Sequence, residues 1–180
     1  MKYQQMAPMG QRRAPKLILL LLLGGLALML LPSFWSVPFK GLFQLAGLCL
    51  FTAAIFLVTR YMTKGFLYGV FDNEAGGLDF SVTELQGKRR CTVCLISLSD
   101  IEAVVTVDAR KPAEVAAVKA KIKADRPKYF DYCSDLNPTR SCYLFVRENG
   151  GDPVAIRIMP DDTLLALLSK DAGDAFFHLS

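Results

Sequence analysis

Two uninterrupted apolar runs dominate the first third of the chain. One covers residues 17–31 and is extended by Pro15 before it and by the uncharged residues 33–35 after it. The other covers residues 41–59. Neither run contains a charged side chain, and Gln44 lies near one end of the second run. Since roughly 20 apolar residues in a helix cross the hydrocarbon core of a bilayer, the pattern predicts two membrane-spanning helices within residues 15–59.

The connection between the two runs, residues 32–38, is so short that the helices must run antiparallel as a hairpin. Basic residues flank the hairpin on its outer side: Lys2, Arg12, Arg13 and Lys16 precede the first run, and Arg60 and Lys64 follow the second. The connection itself is followed only by Lys40. Positive charge is retained on the cytoplasmic side, so the sequence predicts a protein with two spans and both termini in the cytoplasm.

An alternative interpretation takes residues 1–36 as a cleaved secretory signal, because a basic segment precedes the first apolar run. The run is long for such a signal, and Pro32, Phe34 and Trp35 follow it where small residues would be needed for cleavage. These features favour the membrane hairpin.

Beyond Lys64 the pattern changes to short runs in which apolar and polar residues alternate, most regularly in LDFSVT at residues 78–83. Alternation with a period of two is typical of half-buried strands. Candidate strands of this kind cover residues 66–71, 78–83, 89–98 and 101–107. Four strands in succession predict an antiparallel meander.

Residues 112–124 break this alternation and repeat apolar side chains with helical spacing, at Val115, Val118 and Ile122. The spacing predicts a short amphipathic helix. Candidate strands then return at residues 129–133, 142–147 and 154–159.

Asp161 is a candidate N-cap for a final leucine-rich helix at residues 163–169. About seven strands and this closing helix predict an α+β soluble domain, in which a curled antiparallel sheet or partly open barrel is capped by the C-terminal helix. The predicted organisation is a basic cytoplasmic N-terminus at 1–14, a two-helix transmembrane hairpin at 15–59, a juxtamembrane linker at 60–65 and the soluble domain at 66–180.

Composition and charge agree with this division. The chain is 52% hydrophobic, with a mean hydropathy of +0.30. All 17 acidic residues lie at or after Asp72, and seven of the 21 basic residues precede it, which leaves 14 basic residues in the remainder. A slightly acidic soluble domain is not a nucleic-acid binder of the basic type. The single histidine, His178, argues against histidine-dependent hydrolases and most zinc enzymes.

The order of elements resembles that of small bacterial membrane proteins that carry a cytoplasmic pleckstrin-homology-like (PH-like) domain. The resemblance covers most of residues 64–170 and is carried by FLYGVF, LDFSVTELQGKRRCTVCLISLSDIEAVV, CYLFVREN and VAIRIMPDDTLLALLSK. The segment at 112–124 departs from the simplest pattern of seven strands and a helix. The resemblance implies a binding or scaffolding module and transfers no catalytic residue.

Lys88, Arg89 and Arg90 form a basic group at the second predicted hairpin turn. The resemblance implies that such residues contact phosphorylated headgroups, and each charge near an anionic membrane contributes about 1 kcal/mol. The sequence favours the simpler interpretation, in which these three residues form a solvent-exposed turn and bind nothing.

Cys91 and Cys94 have the spacing of a zinc or redox pair, and Cys133 and Cys142 would complete four sulfur ligands. The two intervening residues are β-branched and favour a strand, in which positions three apart face opposite sides. Reduced structural thiols are therefore expected, with a cysteine-based zinc or redox site as the alternative.

Taken together, the sequence predicts a non-enzymatic, membrane-anchored binding or scaffolding module at the cytoplasmic membrane face, with no cofactor. The expected partners are the lipid bilayer and either anionic lipid headgroups or a protein. No nucleic acid is expected as a partner.

Overall fold

A computed structural model describes residues 3–7, 14–34, 39–74, 76–148, 150–172 and 176–178. The chain divides into two compact units. Residues 11–64 form a helical unit, and residues 1–10 join residues 65–180 in a second unit that contains the sheets.

The helical unit consists of α1 (Ala14–Phe34) and α2 (Lys40–Tyr61). Both helices are long and apolar enough to cross a membrane, and few of their residues are buried. Gly24 lies near Leu50, whereas Met29 lies near Gly47, so the helices run antiparallel. The predicted helical hairpin is present, and its connection at 35–38 lies outside the described residues.

The two helices approach most closely at Gly25 and Gly47. A Cβ atom on Gly47 would lie 2.8 Å from the carbonyl oxygen of Gly25 and 2.7 Å from Cγ of Met29. Glycine is thus required at position 47 by the neighbouring backbone, as is usual where small residues let helices pack closely.

The second unit contains two sheets. The first sheet consists of β1 (Tyr3–Met6), β2 (Lys64–Asp72), β3 (Leu78–Gln86) and β4 (Arg89–Ser97), in the order β1-β2-β3-β4. A single 3-10 turn, Leu98–Asp100, leads to the second sheet. That sheet consists of β5 (Ile101–Asp108), β6 (Lys128–Asp131), β7 (Arg140–Val146), β8 (Val154–Ile158) and β9 (Phe176–His178), in the order β6-β8-β7-β5-β9. Two helices complete the unit, α3 (Pro112–Asp125) and α4 (Asp162–Ala172).

The main hydrophobic core lies between the two sheets. Its fully buried side chains include Phe66, Tyr68, Val70, Phe80 and Val82 of the first sheet and Val104, Leu144, Ile156 and Ile158 of the second. Leu164 and Leu168 on one face of α4 belong to the same core. Asp161 is the N-cap of α4, as predicted, because its Oδ1 accepts the Leu164 amide at 2.7 Å.

The other face of the second sheet is covered by α3. Val118, with Val115 and Ile122 beside it, packs on Val105, Phe145 and other small or apolar side chains of that face. The helix predicted at 112–124 is therefore confirmed. It allows both faces of the second sheet to be buried, which explains the nearly continuous apolar stretch in β7.

Several topological predictions were wrong. The strand predicted at 101–107 does not continue the meander but begins the second sheet. Two pairs of strands in that sheet are parallel, β6 with β8 and β5 with β9. Two sheets, one of them mixed, replace the single curled antiparallel sheet, and the described residues form no closed barrel.

The N-terminal strand was also missed. Residues 1–14 were predicted as a basic segment outside the soluble domain, yet Tyr3–Met6 pairs antiparallel with β2. The phenol of Tyr3 donates a hydrogen bond to the Asp161 carboxylate, and the Asp161 amide donates to Oε1 of Gln5 at 3.1 Å. These contacts connect the N-terminal strand to the start of α4.

A buried tyrosine joins the two sheets. The hydroxyl of Tyr68 on β2 donates to the carbonyl oxygen of Tyr132, just after β6, at 2.9 Å. The same hydroxyl accepts the amide of Met159, just after β8, at 3.1 Å. Tyr68 is fully buried, and its hydroxyl satisfies the buried amide of Met159 and the partly buried carbonyl of Tyr132.

We expect Gly47→Ala to lower the thermal stability of the full-length protein in detergent, because the added methyl group meets backbone in a close helix contact. Overpacking of this kind costs about 1–3 kcal/mol. Gly41→Ala is the matched control, since a Cβ there meets nothing within 4 Å. Equal melting temperatures for the two variants would contradict the close approach of α1 and α2.

We expect Tyr68→Phe to lower the free energy of unfolding by about 1–3 kcal/mol, because the buried Met159 amide and the partly buried Tyr132 carbonyl both lose this partner. Denaturant titration followed by near-ultraviolet circular dichroism measures the loss. Tyr129→Phe is the control, since the Tyr129 hydroxyl has no hydrogen-bond partner among the described residues. A similar loss in both variants would show that the hydrogen bonds of Tyr68 do not join the sheets.

Candidate functional site

The two sheets leave two strand edges open toward the same groove. β4 is an edge strand of the first sheet and β6 is an edge strand of the second, so each has one side without a neighbouring strand in the part of the chain that the structure describes. Both strands line a groove with a volume of about 680 Å³. Unpaired edges of this kind present backbone amides and carbonyls that can pair with an added strand.

The floor of the groove is apolar. It is formed by Ile96 of β4, Phe130 of β6, Val146 of β7, and Val154 and Ile156 of β8. Phe130 is 44% exposed, although it lies on the inner face of its strand opposite Ile156. An exposed aromatic ring beside two open edges is a surface that a partner side chain could cover.

Tyr132 closes one end of the groove. Its hydroxyl donates to the carbonyl oxygen of Val93 on β4 at 3.3 Å. Its ring stacks on Phe130, with centroids 6.2 Å apart and planes 5° apart, and it meets the edge of Phe66 at 5.6 Å. Burial, followed by the nearby Cys94 and Glu84, raises the pKa of Tyr132 to about 12. The hydroxyl is therefore a neutral donor at physiological pH.

A β-bulge at Val93 lies at this closed end of the groove. Val82 is opposite Cys94, whereas Thr83 is opposite Thr92, so Val93 is an extra residue in β4. The bulge also changes which face its neighbours occupy. Cys91 and Cys94 consequently lie on the same face of the sheet, contrary to the expectation for a regular strand.

The opposite end of the groove is acidic. Four of its lining residues are Asp79, Asp100, Glu148 and Asp152, and Lys128 is the basic one. Lys128 pairs with Asp152 at 2.8 Å. Asp79, Asp100 and Glu148 have no ion-pair partner among the described residues. This end of the groove, the acidic mouth, therefore carries uncompensated negative charge.

The basic group predicted as a binding site does not line the groove. Gly87, at a φ of +58°, and Lys88 form the tight turn between β3 and β4, and Arg89 and Arg90 begin β4. All three basic side chains are exposed. Arg89 pairs with Gln86 and Arg90 with Leu85, so the two guanidinium groups leave opposite faces of the hairpin and do not converge on one pocket.

The four cysteines of the alternative zinc or redox site do not form one cluster. Cys91 is exposed, Cys94 is half-buried at the groove, and Cys133 and Cys142 are buried. Among the described residues, no three His, Cys, Asp or Glu side chains are arranged to hold a metal ion. Burial raises the pKa of the Cys94 thiol to about 11 and that of Cys142 to about 12, which disfavours the reactive thiolate.

A second cavity, of about 420 Å³, lies between the end of β5 and the starts of β7, α3 and α4. Four of its five charged side chains form ion pairs, Lys111 with Glu114 at 2.7 Å and Arg140 with Asp162 at 3.4 Å, and the fifth is Asp108. The excess of negative charge is therefore smaller there than at the acidic mouth of the groove between β4 and β6.

Sequence reasoning identified the strands that border the groove but missed the groove itself. Three closely spaced aromatic residues could have indicated the groove. Tyr129 and Phe130 lie in the four-residue strand β6, and Tyr132 directly follows it. Such a short strand with exposed rings is typical of a sheet edge that is used for contact.

Comparison with protein-family models, with curated proteins and with solved structures finds no match to this chain.

We expect Cys91 to be alkylated first among the four thiols of the sheet-containing unit when the folded protein is treated with a maleimide at neutral pH, because the other three are partly or fully buried. Peptide mapping by mass spectrometry measures the order. Cys94 should react faster as the pH is raised toward 11, since its thiolate then forms. Protection of Cys91 that a zinc chelator relieves would contradict this and would favour the zinc site.

Proposed function

We propose that this protein is a membrane-anchored, non-enzymatic module that binds an extended protein segment in the groove between β4 and β6. The observation that carries the proposal is the placement of two unpaired strand edges on either side of one apolar groove. An extended segment can hydrogen-bond to such an edge through its backbone and place alternate side chains in the groove.

The anchor in this proposal is the pair α1 and α2, which cross the membrane and place both chain termini in the cytoplasm. The pairing of β1, which precedes the hairpin, with β2, which follows it, supports termini on the same side. Basic residues outside the hairpin support the cytoplasmic side. The bonds of Tyr3 and Gln5 to Asp161 also argue against removal of the N-terminus as a signal, because cleavage would take away a strand of the folded unit.

A PH-like identity of the soluble unit is part of the proposal. Two packed sheets followed by a C-terminal helix are in keeping with the resemblance, whereas the parallel pairs β5–β9 and β6–β8 depart from it. Binding does not depend on this identity, because the open edges of β4 and β6 are present in either case.

A protein segment fits the groove better than a lipid headgroup does. Anionic headgroups would meet Asp79, Asp100 and Glu148 at the mouth, and like charges repel one another. The exposed Lys88, Arg89 and Arg90 remain the candidate contacts for anionic lipid, at a different place in the fold. Membrane attachment would raise the effective concentration of the module near membrane-bound partners.

We expect a fluorescently labelled heptapeptide of alternating threonine and valine to bind the full-length protein in phosphatidylcholine nanodiscs, as measured by anisotropy. Phe130→Ala should weaken binding roughly tenfold, as loss of a central aromatic contact does. Tyr129→Ala is the matched control, because Tyr129 is equally exposed at 44% but faces the α3 side of the sheet.

The backbone is tested with the same peptide carrying N-methyl groups at alternate residues in either register. If the peptide binds by strand addition, at least one of the two N-methylated peptides must lose binding, because methylation removes the backbone amide donors that would pair with the strand edge. If the unmodified peptide does not bind, or if Tyr129→Ala weakens it as much as Phe130→Ala, the groove is not the binding site.

A further inference from the structure

We infer that the segment held in the groove between β4 and β6 carries basic residues at one end, next to an apolar stretch. This inference rests on the proposed function and adds the chemistry of the partner. The groove is asymmetric along its length, with an apolar floor, one end closed by Tyr132 and the other end lined by carboxylates.

The carboxylates come from three different elements that meet at one end of the fold. Asp79, the second residue of β3, lies opposite Ser97, the last residue of β4. Asp100 lies in the turn between the sheets, and its carbonyl oxygen accepts the amide of Arg147, which places the residue after Arg147, Glu148, at the same end. Like charges that line one end of a groove attract a cation, so a positively charged side chain bound there would be stabilised.

Local basic residues do not neutralise this mouth. Arg147 pairs with Glu102 at 3.3 Å, and Lys128 pairs with Asp152 at 2.8 Å. Asp79 accepts a hydrogen bond from a neutral donor, Nδ2 of Asn73 at 3.1 Å, and has no ion-pair partner among the described residues. The mouth therefore presents carboxylates to a partner, and Lys or Arg side chains complement them.

The closed end sets the arrangement of the partner. Tyr132 joins β6 to β4 through the Val93 carbonyl, so an extended segment can leave the groove freely only at the acidic end. Apolar side chains would lie over Phe130 and Ile96, and the basic residues would lie just beyond them. Basic residues at the other end would meet the ring of Tyr132 and lie away from the three carboxylates of the acidic mouth.

Matched peptides test the inference on the full-length protein in phosphatidylcholine nanodiscs, with empty nanodiscs as a blank. The probes are the heptapeptide of alternating threonine and valine with two lysines, two glutamates or two glutamines added at its N-terminus or its C-terminus. We expect the better of the two lysine peptides to bind roughly tenfold more tightly than either glutamate peptide at low salt. The difference should shrink to less than about twofold at 0.5 M salt, because exposed charges are then screened.

The double variant Asp100→Asn with Glu148→Gln should remove most of the advantage of the lysine peptide and leave the affinity of the glutamine peptide unchanged. Unchanged binding of the glutamine peptide also shows that the groove is still folded. Asp162→Asn is the control, because it removes an exposed carboxylate that lines the other cavity and not the groove.

The two failures are distinguishable. If the lysine, glutamine and glutamate peptides bind equally well and Phe130→Ala weakens all of them, the inference is overturned while the groove remains a binding site. If none of the peptides binds, the proposed function fails and the inference fails with it. A lysine advantage that survives in the double variant would also overturn the assignment to Asp100 and Glu148.

Discussion

The fold of the sheet-containing unit depends on the hydroxyl of Tyr68, which joins strands of one sheet to the backbone of the other. A buried phenol must satisfy its polar atom, and here the partners are the carbonyl of Tyr132 and the amide of Met159. Both partners follow strands that lie side by side in the second sheet, β6 and β8. One side chain therefore fixes the position of β2 against two neighbouring strands, and the apolar core fills the space around this link.

The same link positions the candidate binding groove. Holding the backbone of Tyr132 also holds its ring, which stacks on Phe130 and reaches across to the Val93 carbonyl. The sheets are thereby joined at one end of the open side and left apart at the other. Exposed edges invite aggregation, and proteins restrain them with bulges, charges and short strands. All three features occur here: the bulge at Val93, the acidic mouth and the four-residue β6.

Insertion of the helical hairpin between β1 and β2 is a second constraint on this architecture. The two strands pair along their length, so the chain leaves the sheet for α1 and returns from α2 beside the same strand pair. The N-terminal strand is further held by Asp161, which also caps α4. Burial and the hydrogen bond to this carboxylate raise the pKa of Tyr3, with the hydrogen bond as the larger cause. Proton loss from Tyr3 is thus opposed by the contact that holds the strand, and the contact is lost when the pH rises through that pKa.

Local patterns in the sequence determined the elements, and long-range contacts decided how they assemble. The apolar runs, the alternation at 78–83, the helix at 112–124 and the cap at Asp161 follow from neighbouring residues alone, because burial and capping act over a few positions. Strand pairing has no such local signature. The crossing to a second sheet after Ser97, the parallel pairs, and the pairing of Tyr3–Met6 with a strand about 60 residues later all depend on which surfaces meet. The groove was decided at that level too, because its floor, its closing tyrosine and its carboxylates come from segments that are distant in the chain and adjacent only when the two sheets pack.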